Sequence, residues 1–199
     1  MNARILFVLI ATVVLSSFSF LQTSNPEKGL AFHFENHHDA LWHLALMNAV
    51  SRSIPPQNPL AAGEKLVGYH YLNDLIWVGV SKVTGISLLT MYLKISPILL
   101  SSFFGLTTLL LFQKVFKDRI FSFVGTGLAL FGSGFAYVVP MIFSNAKFSQ
   151  SVFWLDQPIH LGINQQLLLS LSIVNIVLLL IVKSHKKYWF LIGLLSGVV

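Results

Sequence analysis

The stretch ENHHDALWHLAL, residues 35–46, gathers Asp39 with His37, His38 and His43 in a chain that is otherwise poor in ionisable groups. A carboxylate and an imidazole four residues apart share one side of a helix, about one turn from each other. Asp39 and His43 therefore have the spacing of a general base and its neighbour, a metal ligand pair, or a proton relay beside a phosphate. A plain helix start uses the same residues. Asn36 can cap the helix, Asp39 follows three residues later in the manner of a capping box, and an acid in the first turn gains roughly 0.3–1 kcal/mol from the helix dipole whatever else it does. Chemistry is favoured by the surroundings: Leu41, Trp42, Leu44, Leu46, Met47 and Val50 leave helix 37–52 apolar nearly all the way round, so protein, lipid or both must cover it.

Pro55, Pro56 and Pro59 then enforce a turn. Beyond it the tripeptide Tyr69-His70-Tyr71 could hold a sugar or a phosphate, although aromatic residues also collect at membrane interfaces without any such role. A second helix is predicted over 72–84. Leu72, Leu75, Ile76, Val80 and Val83 form one face, Asn73, Asp74, Trp77, Ser81 and Thr84 the other, and Gly85 stops it. An amphipathic helix of this length lies along a bilayer surface rather than crossing it.

The chain that carries these helices is 55% hydrophobic and 10% charged, with a mean hydropathy of +0.75. Soluble domains are about a quarter charged, so the composition predicts an integral membrane protein. Residues 3–21 run without a charge after Arg4, enough for about 30 Å of hydrocarbon. No A-x-A-like cleavage site follows, and more apolar runs do, so an uncleaved first span is preferred to a signal peptide. Further spans are predicted over 95–112, 120–143 and 165–182, and another begins at 188. That last run is too short to cross, and the expectation is a single membrane domain, 1–199, forming the N-terminal part of a longer protein. The expected fold class is all-α: a polytopic transmembrane helix bundle with interface helices in a long first outer loop, residues 22–94.

Charge placement sets the orientation. The short connections 113–119 and 183–187 hold Lys114, Lys117, Arg119, Lys183, Lys186 and Lys187, and by the positive-inside rule they are cytoplasmic together with Arg4. With Asp118, the inner side carries the whole net charge of +6, while residues 22–94 and 144–164 balance six basic against six acidic groups. The basic excess is topological, so no nucleic-acid partner is expected. Lys94 marks the outer interface, because an ammonium buried about 12 Å into the bilayer would be costly without a partner. Pro97 and Pro140 are expected to loosen their spans, and Gly125, Gly127, Gly132 and Gly134 to let span three pack closely.

The layout resembles the N-terminal part of the GT-C integral membrane glycosyltransferases, of the protein mannosyltransferase and aminoarabinose transferase type. The features that carry the resemblance are a first span with its N-terminus inside, an outer loop of two interface helices with Asp39 near its start, and the segment PP…NP…YHYLNDL. Such enzymes move a sugar from a polyprenyl-phosphate carrier to an acceptor on the outer face of the plasma (inner) membrane. The resemblance implies that Asp39 is the essential first-loop acid, and helix spacing makes His43 its neighbour. The resemblance also places His70 and Lys94 near the carrier phosphate, within the Tyr- and His-rich segment that includes Tyr69 and Tyr71 and the start of the span that follows it. Some members also bind a divalent metal, Mg²⁺ or Mn²⁺, through acids of the first and second outer loops, here Asp39 and Asp156. This sequence departs from the pattern in having Ala40 where a second acid often follows, and in the histidine pair before Asp39, which stays unassigned.

Two other classes are weaker. A metal-dependent membrane hydrolase would need ligand spacing that is missing: His38 and His43 diverge on a helix, no H-E-x-x-H motif is present, His33, His70 and His160 are scattered, and there is no cysteine. A transporter or lipid flippase would place ionisable groups or broken helices near mid-membrane. The predicted spans carry mainly Ser, Thr and Gly instead, and helix-to-helix hydrogen bonding accounts for Asn175.

Overall fold

The computed structural model of the chain describes residues 6–8, 10, 37–131, 164–182 and 188–196. Every regular element among them is a helix. In chain order these are α1 (His37–Arg52), α2 (Leu72–Thr84), a short α3 (Leu88–Thr90), a π-helical turn (Met91–Ile95), α4 (Ser96–Phe116), α5 (Arg119–Phe131), α6 (Gln165–Val182) and α7 (Trp189–Ser196). The chain divides into two compact units, one of Phe18–Leu99 and one of Met1–Ser17 with Leu100–Val199.

In the first unit, α1 buries Ala40, His43, Leu46, Met47 and Val50, a stripe at helical spacing. It packs against α2. The face α2 turns inward is its polar one: Asn73, Asp74, Trp77 and Val78 are buried, whereas Leu72, Ile76 and Val83 are exposed. An amphipathic helix with its apolar side outward needs another apolar phase on that side. Gly85 ends α2 with φ of 73° and donates its N–H to Ser81 O, at a position where a left-handed backbone favours glycine. Lys82 Nζ donates to Ser51 O at 3.0 Å, placing a cation at the C-terminal end of α1. Between the helices, Leu66 N–H donates to Pro56 O and Asn58 N–H to Glu64 O, both at 2.8 Å, closing residues 56–66 into a tight loop.

Among the described residues, two helices are long and apolar enough to cross a membrane: the continuous run Leu88–Phe116 and Gln165–Val182. Only 22% of the most apolar window of Gln165–Val182 is buried, which is unlike the core helix of a soluble protein. The predicted loosening at Pro97 takes the form of the π turn at Met91–Ile95. Proline has no N–H for the carbonyl four residues back and its ring crowds that carbonyl, so a widened turn just before it relieves both problems. At the other end, α4 and α5 are joined by Lys117 and Asp118 alone. Asp118 Oδ1 accepts from Ile120 N and Phe121 N at 2.7 and 3.0 Å and caps α5.

In the second unit, Asn175 Nδ2 donates to Thr108 Oγ1 at 2.9 Å, and both Thr107 and Thr108 hydroxyls donate to Phe104 O. The predicted helix-to-helix role of Asn175 is therefore seen between α6 and α4. The glycines of α5 divide. A Cβ at Gly125 would meet Phe112 Cδ2 at 2.7 Å, as close packing requires, whereas a Cβ at Gly127 would meet nothing within 4 Å among the described residues. Gly125→Ala should lower stability in detergent by about 1–3 kcal/mol through overpacking, whereas Gly127→Ala should leave the melting temperature unchanged or raise it. Equal melting temperatures for the two variants would contradict the close approach at Gly125. Phe7 stacks obliquely on Phe123 of α5, with ring centroids 4.2 Å apart. Most of predicted span one, the cap at Asn36, Pro140, Gly132, Gly134 and the loop 144–163 lie outside the described residues.

Candidate functional site

The site grows from the packing of α1 on α2. His43 lies on the buried stripe of α1, with 6% of its surface exposed, and Asp74 on the inward polar face of α2 is fully buried. His43 Nδ1 donates to both carboxylate oxygens of Asp74, at 3.1 Å from each. An ionised carboxylate only accepts, so this contact assigns the proton to Nδ1 and holds the plane of the ring. Placing both groups where water cannot reach them is costly unless they are paired, and the pairing answers that cost.

Aromatic side chains close around this pair. Trp42, one residue before His43, donates from Nε1 to Tyr69 Oη at 2.7 Å, and the two rings meet edge to face. Tyr69 stacks on His70, with centroids 4.5 Å apart and planes within 16°. From below, the π turn delivers Tyr92, almost wholly buried, with its ring stacked on His43 at 6.0 Å. The same turn leaves Lys94 exposed. Two residues apart on one helical turn, Tyr92 and Lys94 point to nearly opposite sides, so this short segment supplies both a buried ring and an exposed ammonium.

Burial raises the pKa of Tyr69 above the usual tyrosine value; the hydrogen bond from Trp42 opposes this, and the negative charges of Asp74 and Asp39 add to it. Tyr69 thus keeps its hydroxyl proton across the physiological range while its lone pair is taken by Trp42. It is a fixed hydrogen-bond donor at the edge of the pair.

The predicted residues are brought together in part. Asp39 stands in the first turn of α1 and is exposed. A carboxylate that His43 Nδ1 holds is Asp74, an acid that burial of the polar face of α2 supplies from across the helix pair. Tyr69 joins the cluster, His70 is exposed on its ring, and Tyr71 occupies the N-cap position of α2 without a side-chain cap bond. Asp156 lies outside the described residues, and His37 and His38 open α1. The pair Asp39 and Asp156 is therefore represented by one exposed carboxylate. Among the described residues no three His, Asp or Glu side chains gather as a metal site, and Mg²⁺ asks for an octahedral oxygen shell.

Asp74, Trp42 and Tyr92 were not singled out by residue type. Asp74 is the most legible of them: in a helix whose apolar face is exposed, the polar face is the one that packs on protein. No protein-family model, curated protein or solved structure matches the chain.

Proposed function

We propose that the chain is a polytopic integral membrane glycosyltransferase that moves a sugar from a polyprenyl-phosphate donor to an acceptor at the outer face of the membrane. The observation that carries this reading is the buried His43–Asp74 pair, roofed by Trp42 and Tyr69, in a unit that runs without a break into the apolar helix Leu88–Phe116. A lipid-borne donor has its tail in the bilayer and its phosphate at the headgroups, so a site serving it belongs where a helical loop domain meets a span.

In this reaction an acceptor hydroxyl attacks the anomeric carbon, its proton passes to Asp39, the bond from that carbon to the phosphate oxygen breaks, and polyprenyl phosphate leaves. Asp39 is the accessible carboxylate and acts as the base. His43 and Asp74 are positioning residues that fix the first two turns of α1, and with them the place of Asp39. Tyr69 donates to a sugar oxygen. His70 and Lys94 face the leaving phosphate, where positive charge stabilises the developing anion. No step of this scheme runs through a metal.

The test is transfer of sugar from a purified polyprenyl-phosphate donor by the full chain in lipid bilayers. Lys94→Ala should raise the KM for the donor about tenfold or more while leaving kcat within a few-fold, the pattern of a lost binding contact. An unchanged KM would remove Lys94 from the phosphate site, and absence of transfer from every polyprenyl-phosphate sugar offered would overturn the reading itself.

A further inference from the structure

The opposite face of α1 borders a cavity. Ala45, Asn48, Ala49 and Arg52 follow one another at helical spacing on the side away from His43, Leu46, Met47 and Val50, and the loop 53–62 curls over them. Together they enclose an open groove of about 690 Å³. Small-ligand sites fall at about 300–1,000 Å³, so the groove suits a molecule of one or two sugar units.

Its lining is chemically one-sided. Arg52, Asn48, Gln57, Asn58 and Ser53 supply the polar groups, and none of the described residues that line it is acidic. Asn58 Oδ1 already accepts from Leu60 N–H at 3.0 Å, which leaves its amide N–H₂ as the available group. Ser53 Oγ donates to Pro55 O, so its lone pairs remain. Arg52 makes no ion pair among the described residues, although a partner would lower its free energy. The groove therefore offers a planar cation, several carboxamide groups and small apolar walls from Ala45, Ala49 and Ala62. A phosphate or carboxylate matches the guanidinium fork. Vicinal hydroxyls match carboxamides, which both donate and accept.

We infer that this groove binds an anionic sugar, with Arg52 on its phosphate or carboxylate and Asn48, Gln57 and Asn58 on its hydroxyls. The site stands apart from the His43–Asp74 cluster because α1 itself separates them, so a ligand here does not take part in the proposed transfer step. Its occupant is a soluble or glycan-borne anionic sugar, held at the surface of the loop unit.

The probes are glucose 6-phosphate, glucuronate, glucose and inorganic phosphate, titrated by calorimetry into the full chain in lipid nanodiscs. At least one of the two charged sugars should bind, glucose should bind at least tenfold more weakly than that sugar, and inorganic phosphate should do no better than glucose. Which charged sugar binds more tightly distinguishes a phosphosugar from a sugar acid. Arg52→Gln should weaken binding tenfold or more, and Asn48→Ala several-fold; both positions are exposed, and an unchanged thermal melt shows that the fold is intact. Binding of neither charged sugar, equal binding of inorganic phosphate and the sugar phosphate, or full affinity in a folded Arg52→Gln variant would each overturn the assignment. Binding that persists in a variant without transferase activity supports it, since the two sites are separate.

Discussion

Replacing Asp39 by asparagine should reduce sugar transfer by about 10²–10⁴-fold, the usual worth of a positioned general base, while the protein still folds and inserts. The two roles open to this residue differ in size, and that difference makes the experiment decisive. As a helix-starting acid, Asp39 contributes roughly 0.3–1 kcal/mol, which shifts a melting curve slightly and leaves turnover nearly intact. As the base, it governs turnover and hardly touches the melt. Its exposure in the first turn of α1 means that removing one charge leaves no buried hole. Transfer rates and thermal melts measured on the same preparation separate the roles, and near-normal turnover in Asp39→Asn would remove it as the base.

The second large effect concerns stability. Asp74→Leu should destabilise the protein by about 3–5 kcal/mol, because it takes the acceptor from His43 Nδ1 at the centre of the α1–α2 contact, where both groups are buried. The double variant His43→Leu with Asp74→Leu should recover most of that loss, since an apolar pair of similar volume carries no unmatched polar group. Asp74→Asn keeps one carbonyl acceptor and should fall in between. Urea or thermal unfolding in detergent gives the three values and, with His43→Leu, closes a double-mutant cycle. Simple additivity of the two single losses would mean that His43 and Asp74 are not coupled, and the site as described would lack its centre.

The helices were legible in the sequence where local signals agreed. For α2, the apolar periodicity and Gly85 set both ends, and α1 follows from its unbroken run of helix-compatible residues up to the prolines. Asn175 was legible too, because a carboxamide in an apolar helix has few partners other than another helix. The partner of His43 was not. Spacing along one helix pointed to Asp39, whereas the actual acceptor comes from 31 residues away, through a packing of two helices that no local pattern encodes. Pro97 signals a loosened turn, but that the turn is π-helical over Met91–Ile95 and buries Tyr92 against His43 is set by packing that the sequence does not display. The difference between Gly125 and Gly127 belongs to the same kind, since both look alike until Phe112 is placed.

The account rests on the side of the membrane that α1, α2 and their connecting loop occupy, and this can be measured directly because the chain has no cysteine. Leu60, 84% exposed in the loop between α1 and α2, and Lys117, exposed between α4 and α5, are suitable single positions for substitution. In intact cells, a membrane-impermeant maleimide should label Leu60→Cys and should reach Lys117→Cys only after the membrane is opened. Labelling of Lys117→Cys in intact cells with protection of Leu60→Cys would place Asp39 and its neighbours in the cytosol and contradict the proposed enzyme.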